Sequence, residues 1–537
     1  MTNNEKIIKQ YDIPKEKFKV VEGRTNLHDK ELKTKQIGYL QDAFGRFKRN
    51  KGSVVAGVII ILLIVFALFV PIFSQYTVSY FDSDMKFCYP KSRISAAIGW
   101  DFWDGCVKKE YSESSFYYYY GMGVETGHNA IKNQKYTTKN VEGETKYVVR
   151  LDTYQKAGCI YMNLSDEDYK NLQAYQNKTN IQVIYPMTDK KFAPAAEHDA
   201  NDANYWYATR QVDGKTVPVL DENGELTNIY KPFKKYPDTH STYPGQPADF
   251  YDSITIESDR EPAGRKYLYA QKNQTGFGVR VNYYEYYKYY HTEIAKDGIT
   301  EPIFLLGTDN YGKDVLTCLS AGARLSFILA IVVSAVNMLV GAFYGAVEGY
   351  YGGAADLIME RISDILSAVP FMIVITILKL HMKNAAMQQY GHLLILFISF
   401  FLTGWIGMAG RTRMQFYRFK NQEYVLAART LGARDARIMF RHIFPNALGT
   451  LVTGQILVIP GMIFSESSLS YLGIINLNTG DLTSVGTLLA NAEPYLHTYP
   501  YLMFSPALFI SLLMLSFNLF GNGLRDAFNP SLRGAED

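Results

Sequence analysis

The sequence predicts an all-α polytopic membrane protein of six transmembrane helices, interrupted after the first by an inserted α+β extracellular domain. Three observations carry this expectation: long apolar runs near both ends of the chain, a domain-sized polar stretch between them, and a one-sided distribution of Lys and Arg. Whole-chain averages conceal the pattern. With 537 residues, 20% of them charged, and a formal net charge of +3, the chain would pass for a large soluble protein, and its length alone suggests several domains.

The first element is the run 53–73 (SVVAGVIIILLIVFALFVPIF), which has no charge. At 1.5 Å per helical residue it is long enough to cross a ~30 Å hydrocarbon core. It lies too far into the chain, is too long, and lacks the small-x-small site of a cleaved signal. Four further runs follow at 325–347, 392–410, 447–464 and 501–520. A less clean one, 362–380, contains Asp364 and Pro370. The basic cluster RFKRNK (46–51) directly precedes the first span and assigns the N-terminus to the cytoplasm. The expected division is therefore a cytoplasmic tail with an amphipathic helix (1–52), the first span (53–74), an extracellular domain (75–301), a five-helix core (302–524) and a cytoplasmic tail (525–537). Alternation puts 411–445 inside. That segment holds Arg411, Arg413, Arg418, Lys420, Arg429, Arg434, Arg437 and Arg441 against Glu423 and Asp435. From Asn446 to Leu524 there is no Lys or Arg, and positive charge returns at Arg525. Both termini are thus expected in the cytoplasm. Asp364 is expected near the cytoplasmic end of its span, where a carboxylate costs less than at midplane.

Within the basic loop, the stretch EYVLAARTLGARDARIMFRHIFPNAL (423–448) reads as two short helices. Asn421 suits an N-cap with Glu423 in the first turn. Ala427, Ala428 and Leu431 continue the helix, and Gly432 interrupts it, followed by Ala433. Asp435 opens a second helix, and Pro445 restricts Phe444 and marks its end. The charges alone would serve topology. Two small-residue helices hinged at a glycine point beyond that, to a docking element against another protein.

The spacing Ala427-Ala428-x3-Gly432 followed by Phe444-Pro445 resembles the EAA loop of ABC-importer permeases. The wider chain is similar to the C-type permease subunit of the oligopeptide/dipeptide and nickel uptake family. RFKRNK, LLGTDNYGKDVLTCLSAGARLS (305–326), GYYGGAAD (349–356), RISDILSAVP (361–370), SESSLSYLG (465–473) and FNLFGNGLRDAFNP (517–530) carry the likeness. It covers roughly 36–75 and 302–532. Departures are Leu426 where the motif has Glu, with Glu423 nearby, His442 for Ile, Asn522 and Asn529 for aspartates, and Val485 for Trp. The resemblance implies the type I ABC-importer permease fold and a non-catalytic transport subunit in a bacterial cell membrane. It also implies a second permease subunit, two partner subunits that bind ATP and Mg beneath 411–445, and an extracellular lipid-anchored substrate-binding protein. Oligopeptides are the expected cargo, with dipeptides or nickel chelates as alternatives. Surrounding membrane lipid is expected, and nucleic acid is not.

The family does not explain 75–301, whose length is at or slightly above the ~100–200 residues of one domain. Strand-like pieces are 147–154 and 181–187, and 215–230 reads as a hairpin turning at Asn223-Gly224. Two tyrosine clusters, FYYYY (116–120) and YYEYYKYY (283–290), either fill the domain's core or hold a partner, with Tyr286, Tyr287 and Tyr290 as the contact candidates. Cys88 and Cys106 are the nearest external cysteines and would form one disulfide, or remain free thiols.

Chemical motifs are sparse, and no catalytic or metal site is expected. Gly214, Lys215 and Thr216 follow Thr209 where a phosphate loop needs glycine, and Gly224 falls too soon after Asp221 for a calcium loop. The nine His residues show no metal-ligand spacing. In the spans, Asn337, Thr376 and Thr403 either line a path or bond a neighbouring helix, the commoner role. A secondary transporter would show internal repeats and ionisable midplane residues, and neither is evident. A membrane-anchored surface receptor would account for the large ectodomain but leave the 411–445 loop unexplained.

Overall fold

The computed structural model describes residues 39–528, apart from 99, 134–136, 142–143, 186, 189–208, 213–214, 219–253, 256–265, 269, 382–390 and 478–481. The tail 1–38, the Asn223-Gly224 turn and the C-terminal residues 529–537 lie outside the described residues.

An amphipathic helix α1 (Tyr39–Arg49), basic in its last turn, leads into the first span α2 (Lys51–Phe73). Asn50 caps α2 by accepting the Ser53 N–H at 3.2 Å. The Ser53 hydroxyl in turn donates to the Leu519 carbonyl at 3.1 Å, tying the first span to the last.

The insert is built from short helices α3 (Arg93–Ile98), α4 (Glu113–Thr126), α5 (Asp166–Thr179) and α6 (Tyr283–Tyr289), with antiparallel strands between them. Strands β1 (Cys106–Ser112), β2 (Thr137–Val141) and β3 (Glu144–Asp152) form one sheet in the order β1-β3-β2. Strands β4 (Cys159–Leu164), β5 (Ile184–Tyr185), β11 (Ala270–Asn273) and β12 (Gly276–Asn282) form a second, in which β12 is the centre. The expected strand 147–154 is thus found, shifted to Glu144–Asp152. The piece 181–187 yields only β5 and the start of β6 (Met187–Thr188), which pairs with β10 (Lys266–Leu268). β9 (Ile254–Thr255) pairs with β10 as well. Of the hairpin expected at 215–230 only β8 (Lys215–Pro218) lies within the described residues, and it pairs with β7 (Thr209–Val212) before it.

Most of the tyrosine clusters turn inward, because an amphipathic ring contributes its area to whichever apolar surface it meets. Phe116 stacks on Tyr147 with centroids 4.2 Å apart, and Tyr289 is buried against Tyr175. Cys88 is a buried free thiol facing Met85 and the Thr153 carbonyl, and Cys106 is also free. The Cys88–Cys106 disulfide is therefore corrected: proximity in sequence did not bring the two sulfurs together, and Cβ geometry decides pairing. Burial pushes the Cys88 thiol up to about 12.

The insert rests on the helical core through the chain around 85–90. Phe87 stacks on Tyr499 at 4.2 Å, and the Tyr501 hydroxyl donates to the Thr308 carbonyl at 2.7 Å. Gly307, at φ +78, lets that strand approach so closely that a Cβ would sit 2.4 Å from the Cys88 carbonyl oxygen.

The core continues with α7 (Val315–Tyr351), α8 (Gly353–Ser367), α9 (Phe371–His381), α10 (Gly391–Phe419), α11 (Glu423–Thr430), α12 (Asp435–Tyr471, containing a π-helical turn at Ile438–Ile443), α13 (Val485–Ala492) and α14 (Tyr501–Phe528). Among the described residues five helices, α2, α7, α10, α12 and α14, are each long and apolar enough to cross a membrane. The span expected at 362–380 corresponds to α8 and α9, which together are apolar enough to cross but meet at 69°, as a broken span or a re-entrant loop does. Pro370 forces the break, since its ring disfavours the helical conformation at Val369 and removes a backbone donor.

Candidate functional site

The segment 411–445 is a platform anchored on one side only. Val425, Ile438 and Ile443 are fully buried against Ala346, Tyr350 and Phe416 of α7 and α10. Its other face is open: Leu426 is 45% and Leu431 88% exposed. Glu423, Ala427 and Pro445 are exposed too, while Ala428 and Ala433 are half-buried.

Gly432, at φ +80, closes α11. The Ala433 N–H donates to the Ala428 carbonyl and the Gly432 N–H to that of Arg429, both at 3.0 Å. This is a Schellman cap, whose αL residue favours glycine. The start of α11 differs from expectation: Gln422, not Asn421, is the N-cap, and it makes no side-chain cap bond. Pro445 also differs. It does not end the second helix but sits in the first turn of the α-helical stretch Phe444–Ile456. The π turn before it accommodates a ring that would otherwise crowd the preceding carbonyls.

Two polar contacts join the platform and its neighbours to the spans. The Tyr350 hydroxyl donates to the exposed Asp435 carboxylate at 2.6 Å, linking the end of α7 to the start of α12. Arg413 of α10 forks between Asp356, at 2.6 and 2.9 Å, and Glu360, at 2.7 and 2.9 Å, both on α8. The Tyr417 hydroxyl also donates to Asp356. Planar guanidinium–carboxylate pairs of this kind fix orientation as well as distance. Asp364 lies near the break, paired with Arg361 at 2.9 Å and half-exposed.

Small residues seat α7 on α10. A Cβ at Gly341, Gly345 or Gly349 would fall 2.4, 2.1 or 2.7 Å from the carbonyl oxygens of Trp405, Ala409 and Arg413. The GAFYGAVEG pattern was visible in the sequence as small residues at every fourth position, the sign of close helix packing in lipid.

Of the polar span residues, Asn337 is fully buried and donates to the Phe400 carbonyl at 3.2 Å, a helix–helix bond. Thr376 is exposed and donates to its own helix at Met372, 2.8 Å away. Thr403 is half-buried on α10. Glu466 falls just outside the apolar run 447–464, yet it lies inside α12 at 1% exposure. Its carboxylate accepts the hydroxyls of Ser326 at 2.7 Å and Ser470 at 3.0 Å. The signal that could have found it is the Glu466/Ser470 spacing, which continues the helical period past Phe464.

In the insert, Tyr287 is 2% exposed and accepts a hydrogen bond from Tyr80 at 3.2 Å. As a partner contact it is corrected, since packing against Tyr80 and His291 faces it inward. Tyr286 is half-buried, and Tyr290 is 42% exposed. Lys215 and Thr216 lie in β8, a strand where no phosphate loop forms.

Two family models match the chain. Residues 337–534 match the inner membrane component of binding-protein-dependent transport systems. Residues 38–90 match the N-terminal transmembrane domain of oligopeptide transport permease C. The chain is 40% identical to the oligopeptide transport system permease protein OppC of Bacillus subtilis over 227 residues, 42% of this chain and 72% of that protein. It is 38% identical to the dipeptide permease DppC of the same organism, over 42% of this chain and 68% of that protein. It is 35% identical to the OppC of Escherichia coli K12, over 42% and 72%. Among solved structures, the inward-facing MetNI methionine ABC transporter aligns with a TM-score of 0.31 at 15% identity, over 39% of this chain and 94% of that one. The chain therefore belongs to the oligopeptide/dipeptide permease family of ABC importers, as a multi-pass protein of the bacterial plasma membrane.

Proposed function

We propose that this chain forms one half of a path by which oligopeptides enter the cell, moved by two ATP-binding subunits docked beneath 411–445. The carrying observation is the platform's asymmetry. One face is locked into α7 and α10 by Val425, Ile438 and Ile443, and the other presents Leu426 and Leu431 to solvent. A partner pressing on the open face moves the spans through the buried one. The roles assigned to Glu423, Ala427, Ala428, Gly432, Ala433, Asp435 and Pro445 follow from their place on this platform.

A peptide cannot cross hydrocarbon unaided, because each unsatisfied backbone group costs several kcal/mol there. A second permease subunit would supply the other wall of the path, and the exposed Thr376 and half-buried Thr403 would face it. In this reading both termini are cytoplasmic and 75–301 is outside, where a lipid-anchored binding protein delivers cargo. Tyr290 remains an exposed ring to meet that protein. Relatives named for oligopeptides and for dipeptides support a peptide cargo. The longer class is proposed because two of those three carry its name.

The test is co-purification in mild detergent followed by reconstitution. Two ATPases and a second permease should accompany the chain, and longer peptides should raise ATP hydrolysis in proteoliposomes more than dipeptides do. Purification with a signalling partner and no ATPase would replace this reading with that of a receptor.

A further inference from the structure

Beneath the ectodomain, at the outer ends of α2, α7 and α14, lies a cavity of about 800 Å³, within the ~300–1,000 Å³ usual for ligand sites. Its walls are apolar: Leu63 and Phe66 from α2, Leu319 from α7, and Phe504, Leu508 and Leu512 from α14. Phe102 and Trp103, in the chain that follows α3, border it on the ectodomain side. Arg150 pins that chain by pairing with both Asp101 and Asp104.

The depth of the cavity is informative. Tyr501 at its mouth and Leu512 at its far end are eleven residues apart on one helix, about 16 Å at 1.5 Å per residue. That is half of a ~30 Å hydrocarbon core. On the opposite wall, Leu63 stands at the middle of the first span. The cavity therefore runs from the surface to the midplane, the depth of one leaflet.

The chain that leads to Phe102 and Trp103 suits the same environment. Ile94, Ile98, Trp100 and Phe102 are 60–71% exposed on one short piece of chain. Such a patch would be unfavourable in water but suits the headgroup boundary, where tryptophan concentrates. Trp103 holds φ +61, rare for a bulky residue and a sign of a constrained site. Arg93 is exposed beside an adjoining cavity of about 570 Å³ that reaches Phe73 at the outer end of the first span and shares Leu316 with the first cavity. A guanidinium at that level matches a lipid phosphate.

We infer that the cavity is a binding site for a phospholipid, one acyl chain lying between α2 and α14 down to the midplane and its phosphate meeting Arg93. The aromatic chain 100–104 dips into the same leaflet and covers the site. The occupant is a lipid and not a helix of a neighbouring subunit: the site is continuous with the exposed apolar residues Val65, Leu68 and Phe69 of α2 and Phe504 and Leu508 of α14, is only one leaflet deep, and is bordered above by the insert. Only the assignment to the outer leaflet rests on the topology proposed above.

The test uses the assembled importer in nanodiscs made with phospholipid brominated on its acyl chains. The chain has four tryptophans, so the signal is the difference between the native protein and the double variant Trp100→Phe/Trp103→Phe. Bromine should remove emission that the double variant does not have. In parallel, mass spectrometry of the intact complex after detergent exchange should find phospholipid retained on the native protein. That phospholipid should be lost from Leu508→Trp, whose larger side chain fills the cavity. No quenching difference in the assembled importer would overturn the proposal, including the case where the isolated chain shows one, because a second subunit would then cover the site. Undiminished lipid on Leu508→Trp would overturn it as well. An error in the topology would leave both readouts intact and appear only in labelling from the two sides of the membrane.

Discussion

Gly432 shows how one residue joins the fold to the work it does. A side chain there meets no neighbour within 4 Å, so its constraint is conformational and not steric crowding. At φ +80 a β-branched residue costs on the order of 1–2 kcal/mol relative to glycine. Gly432→Val is therefore expected to leave insertion intact and to reset the angle between α11 and α12. ATP hydrolysis should continue while peptide uptake falls, and normal uptake at native expression would remove the hinge from the account. The cysteines give a second residue-scale outcome. None of the four is in a disulfide, and burial keeps the Cys88 thiol protonated at neutral pH by raising it to about 12. Alkylation in denaturant without reductant should add four groups, and two would mean a disulfide. Gly432 and Asp435 were legible in the sequence because turn chemistry is local. Tyr287 was not, because a tyrosine serves a core or a surface equally well, and only its neighbour Tyr80, about two hundred positions away, decides which.

At the scale of elements, hydropathy located every span but not its ends. The run 325–347 is the middle of α7 (Val315–Tyr351). Its polar ends, capped by Asp314 accepting the Thr317 N–H at 3.0 Å, leave the hydrocarbon and drop out of an apolar count. Glu466 was lost from α12 for the same reason. Pro370 was visible, but the 69° bend it produces depends on how α8 is held, and Arg413 holds it through Asp356 and Glu360. Packing of α7 on α10 rests on the three glycines. Gly345→Leu would drive a Cβ to 2.1 Å from the Ala409 carbonyl oxygen and force the helices apart, costing ~1–3 kcal/mol or more. Its thermal midpoint in detergent should drop. Gly407→Leu, where a Cβ meets nothing within 4 Å, should leave the midpoint of the isolated chain unchanged. Equal midpoints for the two would refute the packing argument.

At the scale of the whole molecule, the proposed topology has the insert on one side of the helical core and the 411–445 platform on the other. The domain's presence and mixed composition were readable from its loss of apolar runs. Its pairings were not, since β4, β5, β11 and β12 come from segments far apart in sequence. The central claim is that the platform and the ectodomain face opposite sides of the membrane. Single cysteines placed at two exposed sites test it, Leu431→Cys on the platform and Lys178→Cys on the ectodomain. With a membrane-impermeant maleimide, Lys178→Cys should react in sealed cells, and Leu431→Cys only after the membrane is opened. Labelling of Leu431→Cys in sealed cells would contradict the topology, and with it the docking of ATP-binding subunits beneath 411–445.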